Sequence, residues 1–295
     1  MSHSLADLNR DYSLGDALLF VRGGGGMARA EVQTDACRAE LYLHGAHVTR
    51  WRPAGHDEVL WTSERAMYAY DKPIRGGVPI SFPWFAGHQP VNDPNGPNHG
   101  YARLQPWHIT QTRQTDAGVS LTLTTTVEPF VLEYEVVFGK ELSMTLQVAN
   151  HSKAQASYEA ALHSYFTISQ IHNVTVSGLE GASYLNTVGG ANTPEIQDDR
   201  AITFHDETDR IYESQATCVI HDPGLSRRVV IDKRGSESTV VWNPWFAKAK
   251  AMRDFGDDEW PGMVCVETAC IDPNRMVLKP GGAHTTSAHI HIEDA

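Results

Sequence analysis

The sequence is short of cations, of cysteine and of long apolar stretches, and each shortage excludes something. Only 24 Lys and Arg stand against 36 Asp and Glu, a formal net charge of −12. So few cations cannot build the broad basic surface of a phosphate-backbone binder, and no nucleic-acid partner is expected. The four cysteines, Cys37, Cys218, Cys265 and Cys270, form no CxxC pair and are too sparse for a disulfide framework. Reduced thiols and a cytoplasmic address are the expectation. Near the N-terminus the apolar run 17–21 is too short for the core of a signal peptide. The uncharged run 76–92 carries Pro79, Pro83 and Pro90, which no membrane helix tolerates together, so no membrane partner is expected.

What is present is ordinary globular material, with 41% hydrophobic and 20% charged residues, which rules out wholesale disorder. Period-two alternation dominates. Segments 117–127, 130–138 and 141–150 read as strands, with 138–141 as the hairpin connection between the last two. Further strands are expected over 156–166, 174–181, 216–222, 227–233, 237–243 and 285–293. Helical periodicity is confined to a turn or two within 242–255. No linker, repeat or composition shift interrupts the chain. An all-β fold, one domain over 1–295, is therefore expected.

Two nucleotide or metal motifs fail on context. Residues 21–28 offer Gly23-x-Gly25-x-x-Ala28 after an apolar run, but a dinucleotide fingerprint needs a helix next, and the following residues alternate like strands. A turn is the reading. His44 and His47 lack the helical spacing of a zinc protease, and His289 and His291 share a strand face with no third ligand nearby in sequence. No metal and no other cofactor is expected.

Two segments break the β pattern. Residues 74–107 are crowded with Gly, Pro, aromatics, His and Arg, and a long ordered loop of this kind is commonly functional. Within it Arg75 and Arg103 sit beside glycine or other small residues, and their planar forks suit a phosphate or carboxylate; pairing with Asp71 or Asp93 is the plainer alternative. In 263–273 a single glutamate, Glu267, interrupts an apolar run, and a buried carboxylate costs several kcal/mol unless paired or neutral. His163 lies among Ala, Leu, Tyr and Phe in 156–166. A buried His and a buried Glu can act as acid and base, although 104 residues separate these two. Asp209 either pairs with Arg210 or accepts hydrogen bonds from substrate hydroxyls.

The segments 74–87, 98–103 with Pro106-Trp107, 161–166, 207–212, 240–245 and 263–269, in this order, resemble the aldose 1-epimerase (galactose mutarotase-like) superfamily. Within it they look like the hexose-6-phosphate mutarotases, or glucose-6-phosphate 1-epimerases. The resemblance implies a large antiparallel β-sandwich, the supersandwich, with a sugar site in an open cleft. It implies that His163 protonates the ring oxygen and that Glu267 takes the proton of the anomeric hydroxyl. It further implies that Asp209, His99 and Arg75 contact sugar hydroxyls and orient the acid, with Arg75 and Arg103 as candidates for the 6-phosphate. The small-molecule partner is then a sugar phosphate, acted on by a monomer without a cofactor.

On this reading the His163 ring and the Glu267 carboxylate should face each other about 5–8 Å apart, one hydrogen bond on either side of an anomeric centre. Rival readings remain. A glycoside hydrolase would need two carboxylates across the cleft, with Asp209 as the partner of Glu267. An epimerase of unphosphorylated aldoses would lack an arginine pocket. A non-catalytic sugar-binding protein would use Trp84, Phe85 and Trp245 as stacking platforms and leave the buried His and Glu without a role.

Overall fold

The computed structural model describes residues 4–91 and 93–294. The strands expected from alternation are there. Gly118–Val127, Phe130–Phe138 and Leu142–Asn150 pair in sequence order, and Gly139 turns the chain between the last two. With His108–Thr115 at one end and Ala283–Asp294, Arg227–Arg234, Cys218–Asp222 and Thr175–Ser177 beyond, they make an eight-stranded sheet. A second eight-stranded sheet runs Thr193–Ile196, Ser183–Asn186, Thr208–Glu213, Ser238–Asn243, Met263–Cys270, Ala160–Leu162 and Ile80–Ser81, with Tyr165–Thr167 also paired to Met263–Cys270. A four-stranded sheet, Leu18–Arg22, Ala28–Gln33, Cys37–Tyr42 and His47–Pro53, completes the main layers. Strands joined in these ladders are antiparallel throughout.

One core lies between the sheets. Leu121, Leu132, Tyr134 and Ile290 of the first eight-stranded sheet share it with Leu162, Tyr212, Val241, Val264 and Val266 of the second. In strands the side chains alternate, so the odd-numbered neighbours on Met263–Cys270 must point the other way. There they meet a second apolar cluster with Phe85, Ala161, Tyr165, Ile211, Trp242 and Phe255. Both faces of the central strands are covered, which is why all of Ser238–Asn243 and Met263–Cys270 is buried.

Two expectations change in detail, and the helical one holds. Segment 156–166 is three short strands, because the backbone leaves the ladder after Leu162: the His163 N–H donates to Pro79 O and the Ser164 N–H turns back to Leu162 O. Segment 174–181 keeps only Thr175–Ser177 as strand. The helical stretch is Trp245–Ala251. The glycine run forms a tight turn at Gly24–Gly26 that joins two antiparallel strands, with Gly25 at φ 63° packed on the Tyr68 backbone, so it opens no helix. Among the described residues no helix is long and apolar enough to cross a membrane.

Candidate functional site

The outer face of the second eight-stranded sheet is the floor of a cleft of about 450 Å³. Period two decides who stands on it. Asp209 and Ile211 come from one strand, Val240 and Trp242 from the next, Glu267 from the third, and His163 and Tyr165 from the chain paired beyond. The loop-rich segment after Arg75 supplies the opposite wall with Phe85, His88, His99 and Arg103. The cleft therefore unites all six residues singled out in the sequence.

His163 and Glu267 are in contact, Nδ1 to Oε1 at 3.3 Å, with 6% and 1% of their surfaces exposed. This is closer than the expected separation across a sugar. The reason is the ladder: Leu162 pairs with Thr268, so His163 and Glu267 sit side by side on adjoining strands, which lie about 4.8 Å apart, and not on opposing walls. Their meeting is a contact without hydrogen-bond alignment, since His163 Nδ1 and Glu267 Oε2 have no hydrogen-bond partner. Burial, aided by the charge of Asp209, pushes the Glu267 carboxyl well above its ordinary range, while Arg103 works against that rise. Burial, with Arg103 and Arg75 nearby, pushes His163 well below its own. Both directions favour uncharged partners, the expected response of groups removed from water. The imidazole is clamped by a stack on Tyr165, rings 4.8 Å apart and 9° from parallel.

The arginines differ. Arg75 is committed: its Nε and Nη2 face the Asp254 carboxylate at 3.1–3.3 Å and its Nη1 donates to the Tyr165 hydroxyl at 3.0 Å. The partner is Asp254, not Asp71 or Asp93; Asp93 instead accepts from Tyr101. Burial opposes the Arg75 charge, yet Tyr165 and Asp254 together hold it above its usual value. Among the described residues Arg103 has no carboxylate within ion-pair distance. It is 9% exposed, donates from Nη2 to Asn98 O at 2.6 Å, and leaves Nε unpartnered. Burial lowers it to about 10, with Arg75 adding to the effect, which still leaves it cationic at neutral pH.

Asp209 does not pair with Arg210. Neighbours on a strand point to opposite faces, so Asp209 meets Lys248 in the cleft at 3.4 Å while Arg210 stacks over Tyr184 on the other side. Burial raises the Asp209 carboxyl and Lys248 restrains the rise. His99 is held by two reciprocal bonds: its N–H donates to Ala86 O at 2.8 Å, and the Ala86 N–H donates to its Nδ1 at 3.3 Å. Both residues have positive φ, 61° and 43°, an uncommon conformation for non-glycine residues that clusters at functional sites.

Four further residues escaped the sequence reading. Lys248 lines the cleft from the helix Trp245–Ala251. Asp254 fixes Arg75. Glu159, 5% exposed, accepts from the Phe85 and Asp272 N–H groups and from His88, and so ties the loop wall to the sheet. Cys265 stands beside the acid–base candidates on the same strand face; its thiol, His163 and Glu267 place one potential ligand atom each within 4.8 Å of one another. Of the aromatic platforms, Phe85 lines the cleft, whereas Trp84 packs on Tyr101 and Trp245 on Trp260.

Known proteins share this arrangement of chain and fold. The family described as Aldose 1-epimerase matches residues 29–291. A relative from Cenchrus ciliaris is 36% identical over 264 residues, 83% of this chain and 78% of its own, and one from Escherichia coli (strain K12) is 34% identical, covering 84% of each. Both bear the name "Putative glucose-6-phosphate 1-epimerase". The crystal structure of a "putative mutarotase" from Salmonella typhimurium superposes with a TM-score of 0.87 at 31% identity, over 96% of both chains. The chain belongs to the aldose 1-epimerase family.

Proposed function

We propose that this chain interconverts the α and β anomers of a hexose 6-phosphate, glucose 6-phosphate first, with His163 as the acid and Glu267 as the base. The observation that carries the reading is the 3.3 Å contact of a buried imidazole and a buried carboxyl on the cleft floor. Mutarotation must take a proton from the O1 hydroxyl and give one to the ring oxygen O5. Both oxygens are bonded to C1, so the two groups must stand close together and reach two oxygens on the same carbon. The ladder register supplies that placement.

The proton count also fits. Burial favours neutral His163 with protonated Glu267. Passing that proton between the two groups, once a small shift aligns the contact, gives imidazolium and carboxylate, a tautomer with the same number of protons. Either form holds one acid and one base, and a sugar that orients its O5 lone pair to His163 and its O1–H to Glu267 draws on the charged one. Ring opening then yields the aldehyde; rotation about C1–C2 and reclosure on the other face gives the other anomer, with the proton transfers reversed. Asp209 and His99 line the same cleft, which supports assigning them to sugar hydroxyls.

C6 is attached to C5, next to O5, so a 6-phosphate belongs on the His163 side. There the nearby charges acting on His163 are Arg103 and Arg75. Arg103, buried and without its own carboxylate, is the open anion partner, and a phosphate would satisfy a guanidinium that protein alone leaves partly unpartnered. Lys248 adds a third cation to the lining, against Asp209 and a Glu267 kept neutral by burial. Arg75 is paired with Asp254 and Lys248 with Glu207 and Asp209, so among the described residues Arg103 is the cleft cation that no carboxylate neutralises, on a chain of net charge −12. The names of the relatives point to the same substrate.

The test is proton NMR or polarimetry on freshly dissolved α-glucose 6-phosphate and on α-glucose, with and without protein. The reading requires faster anomerisation and a larger kcat/KM for the phosphorylated sugar. A preference for free glucose would transfer the chain to neutral aldoses, and no acceleration of either would remove the catalytic reading.

A further inference from the structure

We propose that His163, Cys265 and Glu267 form a binding site for a thiophilic divalent cation such as Zn²⁺, and that the bound ion silences the proton-transfer pair. The inhibitory half rests on the function proposed above; the binding half stands on geometry alone. Cys265 lies two residues before Glu267, so period two brings its thiol to the same face of Met263–Cys270. His163 arrives from the adjoining chain, and the three ligand atoms lie within 4.8 Å of one another. Donors around a zinc ion at about 2.0–2.3 Å stand roughly 3.3–3.7 Å apart, so closing the set takes shifts of about 1 Å. Among the described residues no other set of three His, Cys, Asp or Glu donors converges in this way.

Two features point to a ligand. His163 Nδ1 and Glu267 Oε2 are buried and have no hydrogen-bond partner, so an ion would gain these donors without breaking a bond. The set is also electrically suited. Without the ion, burial favours the uncharged forms of the Cys265 thiol and the Glu267 carboxyl. Binding forms bonds from the cation to the imidazole nitrogen, the thiolate and the carboxylate, and releases two protons, one from Cys265 and one from Glu267. One thiolate and one carboxylate offset the two positive charges of the ion, so the buried location opposes the bound ion little. One S, one N and one O donor select Zn²⁺ or Cd²⁺ over Mg²⁺ or Ca²⁺.

The experiment uses the full chain freed of metal and titrated with Zn²⁺, Cd²⁺ or Mg²⁺. Cd²⁺ should produce one thiolate-to-metal charge-transfer band per chain, a readout independent of activity. Micromolar Zn²⁺ should slow anomerisation of glucose 6-phosphate about tenfold or more, reversibly with EDTA, while Mg²⁺ has no effect. In Cys265→Ser, and in Cys265→Ala as a second variant, the metal-free rate should be retained and the band lost, and the inhibitory Zn²⁺ concentration should rise by about tenfold or more, as loss of a strong ligand requires. Absence of the band, or equal Zn²⁺ sensitivity in both variants and the parent, overturns the proposal. A band without inhibition keeps the site and counts against the His163–Glu267 mechanism.

Discussion

The strands Phe130–Phe138 and Met263–Cys270 carry the same side-chain period but live in different surroundings. In the first, burial alternates along the strand, and Glu133 and Glu135 fall on the wetter face, where Glu135 meets Ser120 and Arg113. In the second every residue is buried, since one face meets the core between the sheets and the other meets the cleft. Glu267 is chemically the same group as Glu133 yet has an oxygen with no partner at all. A carboxylate in water is inexpensive to keep and free to vary. One held out of water opposes folding, and a perturbed proton affinity of this kind is what the proposed acid–base role would use.

The largest effect should come from exchanging the two environments' carboxylates for amides. Glu267→Gln should lower kcat for glucose 6-phosphate by about 10² or more, the scale of a positioned acid–base group. Thermal unfolding should be unchanged or shifted upward, because a neutral amide is easier to bury than a carboxyl that must also ionise. Glu133→Gln should leave both quantities as they are. Equal losses in the two variants would erase the contrast.

Next in size is Arg103→Ala. A charge-assisted contact of about 1.5–3 kcal/mol corresponds to roughly 10- to 150-fold in kcat/KM for the phosphorylated sugar, with a much smaller change for free glucose. An unchanged ratio of the two would remove Arg103 from the phosphate. Asp254→Asn sharpens the same point from the other side. It keeps a hydrogen bond to Arg75 but removes the charge, an exchange worth about 1 kcal/mol, so kcat should fall about fivefold while KM for the sugar phosphate stays or decreases. A rise in KM alone would show that Asp254 acts only on binding.

The smallest effect concerns pH. A second proton on the pair must charge His163, which burial and the neighbouring arginines oppose, so the acid limb of kcat should lie below the ordinary 6.5 of histidine. The quantity to follow is kcat, because the sugar phosphate itself titrates near 6 and distorts kcat/KM. A limb centred at or above 6.5 would contradict the stated direction.

Much of this contrast is legible in the sequence. Alternation is local, so the strands of the first sheet can be read directly, and a lone Glu in an apolar run announces its own burial cost. His163, Arg75, His99, Arg103 and Asp209 also converge as the resemblance implies. What cannot be read is whatever depends on register between distant strands. Arg75 and Asp254 are 179 residues apart and Phe85 and Glu159 are 74 apart, and no periodicity links them. The side-by-side placement of His163 and Glu267 follows from the pairing of Leu162 with Thr268, a tertiary fact. Cys265 hides for a different reason: a cysteine among valines has the look of core, and only the face it shares with Glu267 gives it another meaning.

On the proposed mechanism His163 and Glu267 act as one proton-sharing unit. This is tested most directly by the rate of α-glucose 6-phosphate anomerisation, followed by proton NMR, in His163→Ala, Glu267→Gln and the double variant, with circular dichroism to verify folding. Each single change should cost about 10² or more, and the double change little beyond either one, as residues acting together do. A near-normal rate in either folded single variant, or losses that multiply in the double, would contradict that mechanism.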